Sequence, residues 1–322
     1  MATALRYFNP FHLNRIRQNV KKDGFGRVVM TKIGHRPDIQ PYLFWPAQRL
    51  LRAMKIAARP FEYAKRKRIA RRIASKDLAI SPSAGYRFLD RAMIPNVDEV
   101  IGHCRETVKV WERENANKPK TLVSHILRDV DGVTDLADHG PIQELAQHPK
   151  IIGAVCQYLG EVPVIGDLTI QISHINSSQI GFQQFHIDRV DRRQMKLFIA
   201  IDDVTEERGP LNFIPAANSA IMEKKERHYA GRLADDVVAN YAGEQGIISA
   251  TMKAGEGLFI DTCTCAHYGS RGNSEPRYLL LFHYISKFSP IEFHMHGGKI
   301  KPNQSLVEGD GFSNMLYLPG AS

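Results

Sequence analysis

The sequence predicts a mainly β fold with flanking helices, and two observations support this prediction. Apolar residues first recur at helical spacing, in segments 94–111 and 141–159, and Gly160 supplies a stop for the second segment. After Val162 the period changes to that of short strands separated by Gly, Pro, Asn and Asp. Helices followed by many short strands are typical of a β-sandwich or barrel with helices packed on one face.

The predicted strands begin with a short one over 85–89, before the first helix. Seven more follow the second helix, at 164–174, 180–188, 195–202, 210–215, 246–252, 257–261 and 277–284.

Residues 1–78 are predicted to form a basic, partly helical extension, and residues 79–322 the main domain, with a C-terminal tail from about residue 288. The net charge is +9, and segment 49–72 holds ten Lys or Arg residues and one acid, Glu62, so the rest is formally neutral. Leu50, Leu51 and Met54 recur at helical spacing, and Pro60 is expected to kink or end that helix.

This basic arm could pack on the body or on a partner subunit, or it could attach to an anionic membrane surface. Specific nucleic-acid binding is not expected. No apolar run reaches the ~18 residues needed to span a bilayer, and the four cysteines are too sparse for a disulfide framework. We therefore expect a cytoplasmic protein, with peripheral membrane attachment as an open alternative.

The segment around His186-Ile187-Asp188 carries the clearest chemical signal. In a strand, His186 and Asp188 share a face and can converge on one ion while Ile187 faces away. His267 follows a predicted turn and strand at 255–261. Two histidines and one carboxylate on a β scaffold form the facial triad of non-haem iron(II) oxygenases. This triad leaves positions open for a chelating 2-oxo acid and for dioxygen.

An arginine near the start of the last predicted strand is a candidate for binding the 2-oxo acid. Arg277 precedes an apolar run, and a planar guanidinium there can bind a carboxylate at two points. Arg271 is the competitor, but it lies in a Gly- and Asn-containing loop where exposure is expected. The sequence therefore favours Arg277.

From Gly85 to Tyr284 the sequence resembles the phytanoyl-CoA dioxygenase (PhyH)-like family of Fe(II)/2-oxoglutarate-dependent oxygenases. The matching segments occur in the family's order. They are the strand and Ile-Pro turn at 85–97, His148-Pro149 with the helix at 151–160, His186-Ile187-Asp188, the strand–turn–strand at 202–215, the turn and strand at 255–261, then His267, Asn273 and Arg277.

The resemblance implies a double-stranded β-helix (jelly-roll, cupin-like) core. It also implies that His186, Asp188 and His267 bind Fe(II) and that Arg277 holds the distal carboxylate of 2-oxoglutarate, with dioxygen as the other cosubstrate. One departure is that Ala216-Ala217-Asn218-Ser219 stands where the family has Gly-Ser-His. Asp188 is kept, whereas halogenating relatives replace it with a small residue, so hydroxylation is favoured.

The predicted reaction is hydroxylation of an unactivated C–H of a small-molecule or carrier-linked, lipid-like substrate, driven by decarboxylation of 2-oxoglutarate. Further candidates for the cosubstrate or substrate pocket are Gln171, Ser173, Lys196 and Asn273. Cyclisation, desaturation and epimerisation use the same oxidant and stay open as outcomes. Two alternatives of other classes also stay open: a non-catalytic β-barrel adaptor that docks through the basic arm, and a cupin-type metalloenzyme that does not use 2-oxoglutarate. A cupin-type enzyme would have no need of Arg277.

Overall fold

The computed structural model describes residues 25–34, 40–118, 121–128, 133–229, 231–291, 299–307 and 311–317. This part of the chain contains eight α-helices and eleven β-strands. The helices are α1 (Phe25–Gly34), α2 (Gln40–Ala58), α3 (Pro60–Ile73), α4 (Val97–Glu114), α5 (Gly140–Gln147), α6 (Pro149–Leu159), α7 (Ala216–Glu226) and α8 (Asp235–Ala239). The strands are β1 (Tyr86–Leu89), β2 (Val123–Ile126), β3 (Val133–Asp135), β4 (Val164–Ser173), β5 (Met195–Ala200), β6 (Asn212–Phe213), β7 (Ile248–Ser249), β8 (Gly257–Ile260), β9 (His267–Tyr268), β10 (Arg277–Ile285) and β11 (Lys299–Lys301).

A six-stranded antiparallel sheet forms the centre of the fold, in the order β1-β8-β5-β10-β4-β2. Successive side chains of its strands point to opposite faces. Ile170, Ile199 and Leu280 pack into the core that includes the helices, whereas Phe198 and Leu281 belong to a second cluster on the other face. Both faces of the sheet are therefore buried, which explains the nearly continuous apolar run in β10.

A smaller antiparallel sheet, in the order β7-β6-β9, contributes Phe213 to that second cluster. It is extended by isolated bridges at His186–His267 and Val204–Met252. The two sheets enclose a cavity, and helices cover the outer face of the larger sheet. The prediction of a mainly β jelly-roll core with flanking helices is confirmed.

Two predicted elements differ in detail from the structure. The single helix expected over 141–159 is divided into α5 and α6 at His148, which has an extended backbone (ψ 134°). Pro149 explains the break, because a residue before proline is disfavoured in the helical region and proline has no N–H to donate. The helix expected from residue 94 begins at Val97, after Asn96 in the left-handed region (φ 48°).

The strand predicted over 180–188 is wrong for its first half. Gly181 has φ +60° and begins a 3-10 turn, Gly181–Gln183. The buried Gln183 side chain donates to the carbonyl oxygen of Ser270, 2.7 Å away, which anchors the turn. Extended backbone resumes at Gln184, and Phe185 and His186 each form a β-bridge, so the two-residue spacing of His186 and Asp188 still follows an extended segment.

The described helices of the predicted extension pack against the body. Phe44 and Leu51 of α2 are buried beside Val164 and Ile285. Arg66 of α3 is 2% exposed and donates hydrogen bonds to carbonyl oxygens of residues 162, 163 and 315. As expected, α2 ends just before Pro60. The domain boundary at residue 79 stays a prediction, as does the tail from residue 288, part of which lies outside the described residues.

Among the described residues, no helix combines the length and apolar character that crossing a membrane requires. All four cysteines are buried free thiols.

Candidate metal centre and cavity

His186 and His267 are paired across the smaller sheet. The backbone N–H of each donates to the carbonyl oxygen of the other, at 3.0 and 2.9 Å. Their ring centroids are 4.3 Å apart. Directly opposed residues in an antiparallel pair bring their side chains together on one face. Residues 81 positions apart in the chain are therefore held side by side by the backbone.

The hydrogen bonds of both rings leave the same nitrogen available. Nδ1 of His186 lies 2.9 Å from the carbonyl oxygen of Gln184, and Nδ1 of His267 lies 2.9 Å from that of Cys265. A carbonyl oxygen only accepts, so each Nδ1 carries the proton and each Nε2 keeps its lone pair. Donation of Nδ1–H to a backbone carbonyl is the arrangement that orients a histidine for metal binding.

Asp188 completes the group with one carboxylate oxygen. Its Oδ2 accepts hydrogen bonds from Lys196 (2.8 Å), Gln194 (3.0 Å) and Thr262 (2.6 Å). Its Oδ1 lies 3.7 Å from Nε2 of His186. One potential ligand atom from each of His186, Asp188 and His267 lies within 4.8 Å of the others. The donor set fits a divalent metal bound by two imidazoles and one carboxylate oxygen.

The electrostatics keep these three side chains in the protonation states that a metal needs. Burial lowers the pKa of His267 to about 3, and burial likewise lowers the pKa of His186, so both rings are neutral at neutral pH. Burial alone would raise the pKa of Asp188, but the ammonium of Lys196, the two histidines and the hydrogen bond from Lys196 together outweigh it, and the pKa lies well below its usual value. Neutral imidazoles and an ionised carboxylate are the metal-binding forms.

The group opens into a cavity of about 260 Å³ between the two sheets, which Arg277 also lines. Arg277 is 6% exposed, and it donates hydrogen bonds to the carbonyl oxygen of Gly209 and to Oγ of Ser173. Its Nε is buried and has no hydrogen-bond partner. Burial lowers the pKa of Arg277 to about 10, so the side chain is still a cation at neutral pH. No carboxylate pairs with it among the described residues.

Arg271, the competing candidate, is already paired. Its guanidinium forms an ion pair with Asp235, donates to the carbonyl oxygen of Gln183 (2.7 Å), and lies 3.7 Å from the centroid of the Tyr268 ring. The expectation that Arg271 is solvent-exposed is wrong, since only 13% of its side chain is accessible. It stabilises a loop and does not line the cavity.

The other predicted pocket residues divide into two groups. Gln171, Ser173 and Lys196 line the cavity, because they alternate along β4 and β5 on the face that meets the smaller sheet. Asn273 does not line it. Its buried amide donates to the carbonyl oxygens of His174 (2.8 Å) and Glu275 (3.0 Å), so it fixes the loop before β10.

Sequence reasoning missed the residues behind Asp188. His283 donates to Oε1 of Gln194, whose amide in turn contacts both Thr262 and Asp188. Gln194 lies two residues before Lys196, and His283 lies six residues after Arg277, so in extended strands each pair points to the same face. This alternation along β5 and β10 is the sequence signal that could have indicated them. Using it required knowing that these two strands are neighbours.

The fold and this group of side chains define a jelly-roll protein with a candidate metal centre between its two sheets. Residues 104–277 match the model of the family described as Phytanoyl-CoA dioxygenase (PhyH). The match spans more than half of the chain, so the protein belongs to the phytanoyl-CoA dioxygenase family. None of the curated proteins matches this chain.

Several solved structures are similar at low sequence identity. The epimerase SnoN, in complex with Fe3+, alpha ketoglutarate and nogalamycin RO, is 16% identical with a TM-score of 0.45, over 80% of this chain and 92% of that one. EctD from S. alaskensis in its apoform is 18% identical with a TM-score of 0.45, over 66% and 79%. HygX from Streptomyces hygroscopicus, with nickel and 2-oxoglutarate bound, is 16% identical with a TM-score of 0.42, over 64% and 84%. The assignment of the chain to its family rests on the family match and not on these structural similarities.

Proposed function

We propose that this protein is an Fe(II)- and 2-oxoglutarate-dependent dioxygenase that hydroxylates an unactivated C–H of a small-molecule or carrier-linked, lipid-like substrate. The observation that carries the proposal is a single cavity that contains both a His-Asp-His group and a buried arginine without a carboxylate partner among the described residues.

His186, Asp188 and His267 would hold the iron through two Nε2 atoms and Oδ1. When bound, iron(II) would supply the activation of dioxygen, with oxidation of 2-oxoglutarate to succinate and carbon dioxide providing the electrons. The protein fixes the donor atoms before the metal arrives: backbone carbonyls orient the rings, and Lys196, Gln194 and Thr262 donate hydrogen bonds to Oδ2. This leaves Asp188 to bind through one oxygen, which keeps other metal positions open.

Arg277 would bind the distal carboxylate of 2-oxoglutarate. A buried cation without a counter-ion is costly, and an anionic ligand that enters the cavity removes that cost. The guanidinium has five N–H donors and uses two on Gly209 and Ser173, so donors remain for a carboxylate. Ser173 and Gln171, beside it in the cavity, can accept or donate further hydrogen bonds.

Two features support a hydroxylase that acts on a largely apolar substrate. Asp188 keeps the carboxylate that a halogenating relative lacks. Most other residues that line the cavity are apolar, among them Phe182, Phe198 and Met252, and Phe182 is 40% exposed at the surface. Apolar pockets with a few fixed polar groups are typical of small-molecule sites.

Anaerobic titration of the purified protein with Mn(II), and then with 2-oxoglutarate, tests the proposal. We expect one metal per chain, binding of 2-oxoglutarate that depends on the metal, and succinate production once iron(II) and dioxygen are supplied. His267→Ala and Asp188→Ala should abolish metal binding, whereas His125→Ala, which alters another histidine of the same cavity, should not. Metal binding without any effect of 2-oxoglutarate would instead indicate a cupin-type enzyme.

A further inference from the structure

The outward side of α2 and α3 combines exposed apolar and basic side chains. Leu43, Leu50, Met54 and Phe61 are 47%, 62%, 54% and 88% exposed. Leu43, Leu50 and Met54 are spaced by seven and four residues, which places them on one side of α2, and Phe61 follows at the start of α3. We name these four exposed residues the apolar stripe. Phe44 and Leu51, on another side of α2, are buried against the body, so the stripe is not the side that α2 buries against the described residues.

Beyond Phe61 the stripe continues as a basic face on α3. Lys65, Arg68 and Arg72 follow Phe61 at intervals of four, three and four residues, so the four share one side of the helix. Lys65, Arg68, Arg71 and Arg72 are exposed, and none of them forms an ion pair with a described residue.

The charges of α3 are sorted between its two sides. Glu62, the single acid of segment 49–72, pairs with Arg66 and Lys287 toward the body. The outward side therefore carries uncompensated positive charge next to large exposed apolar side chains.

We infer that this surface docks the protein on an anionic lipid bilayer. Apolar side chains on one side of a helix can enter the boundary between headgroups and acyl chains, while Lys and Arg contact anionic headgroups. A second copy of the chain is disfavoured as the occupant, because its own stripe and basic face offer no acidic side chain to pair with the exposed Lys and Arg residues. Nucleic acid would account for the basic face but would leave Leu50, Met54 and Phe61 without a partner.

Vesicle sedimentation of the full-length protein tests the inference. Vesicles of phosphatidylcholine with phosphatidylglycerol should bind the protein, vesicles of phosphatidylcholine alone should bind it far less, and added salt should release it. Each basic residue near an anionic surface contributes roughly 1 kcal/mol, about fivefold in affinity, so Lys65→Gln/Arg68→Gln/Arg72→Gln should weaken binding about 100-fold. The matched control Lys109→Gln/Arg113→Gln/Lys118→Gln removes the same charge on and just after α4 and should bind like the parent.

A second variant separates the apolar contribution from charge. Leu50→Ser/Met54→Ser/Phe61→Ser should also lose binding to the anionic vesicles, while Ile221→Ser, an exposed apolar residue on α7, should not. Equal binding of the parent to both vesicle types, or unchanged binding of either triple variant, would overturn the inference. So would a dimer that the serine variant dissociates without any vesicle binding by the parent, or duplex DNA binding in place of vesicle binding.

Discussion

Replacing Arg277 with alanine should weaken 2-oxoglutarate binding by at least about 100-fold. A hydrogen bond to a charged group contributes roughly 1.5–3 kcal/mol, so a carboxylate held at two points loses about 3 kcal/mol or more. Each 1.4 kcal/mol corresponds to about a tenfold change in Kd. Arg277→Lys keeps the charge but cannot reproduce the planar pair of donors, so it should recover only part of the loss.

Calorimetric titration of 2-oxoglutarate into the Mn(II)-loaded protein without oxygen measures this effect. Arg271→Ala is the control, because that arginine already pairs with Asp235 and lies outside the cavity lining. The melting temperature of each variant shows whether it is folded, and the Kd for Mn(II) shows whether the metal centre is intact. An unchanged Kd for 2-oxoglutarate in Arg277→Ala would refute the assignment, and a larger loss in Arg271→Ala would transfer the role to Arg271.

Three further predictions follow from buried groups. Lys196→Met should raise the pKa of Asp188, so the pH at which Mn(II) binding is half-maximal should increase, whereas Lys253→Met at an exposed ion pair should leave it unchanged. Burial raises the pKa of Asp261 from its ordinary value of 3.8 to about 7, so this carboxyl stays protonated in the folded protein while it ionises in the unfolded chain. Its contribution to stability is therefore full below pH 3.8 and declines up to about pH 7. In Asp261→Asn the free energy of unfolding by urea should depend less on pH over that interval and should be higher at neutral pH. An unchanged slope of unfolding free energy against pH would contradict this. A chain that starts at Ala79 should bind Mn(II), but its free energy of unfolding should be lower by several kcal/mol, since burying Phe44 and Leu51 contributes roughly 1.5–3 kcal/mol each. Failure of this shorter chain to fold would show that the arm belongs to the core.

The His186-Ile187-Asp188 signal was readable from sequence because it depends on local geometry. Two residues of an extended segment share a face whether or not the flanking residues form a regular strand. The 3-10 turn at Gly181–Gln183 therefore did not affect the inference. The placement of Arg277 was predictable for a different reason. An arginine at the start of a buried strand has few ways to satisfy its charge.

The support around Asp188 could not be predicted from sequence alone. Gln194, Thr262 and His283 come from three separate parts of the chain, and their hydrogen bonds depend on β5, β8 and β10 being neighbours. The burial of one basic residue of the arm could not be predicted for another reason. Composition counts Arg66 with the other basic residues, although it is buried and donates to backbone carbonyls.

The reciprocal backbone hydrogen bonds between His186 and His267 have a consequence for how such a protein can diverge. The separation of the two rings is set by two peptide groups and not by the chain that runs between them. Insertions or deletions in the loops of that intervening segment would reshape the cavity wall without moving the rings. A lineage built on this pairing can therefore exchange one substrate for another while it inherits the same arrangement of the two candidate metal ligands.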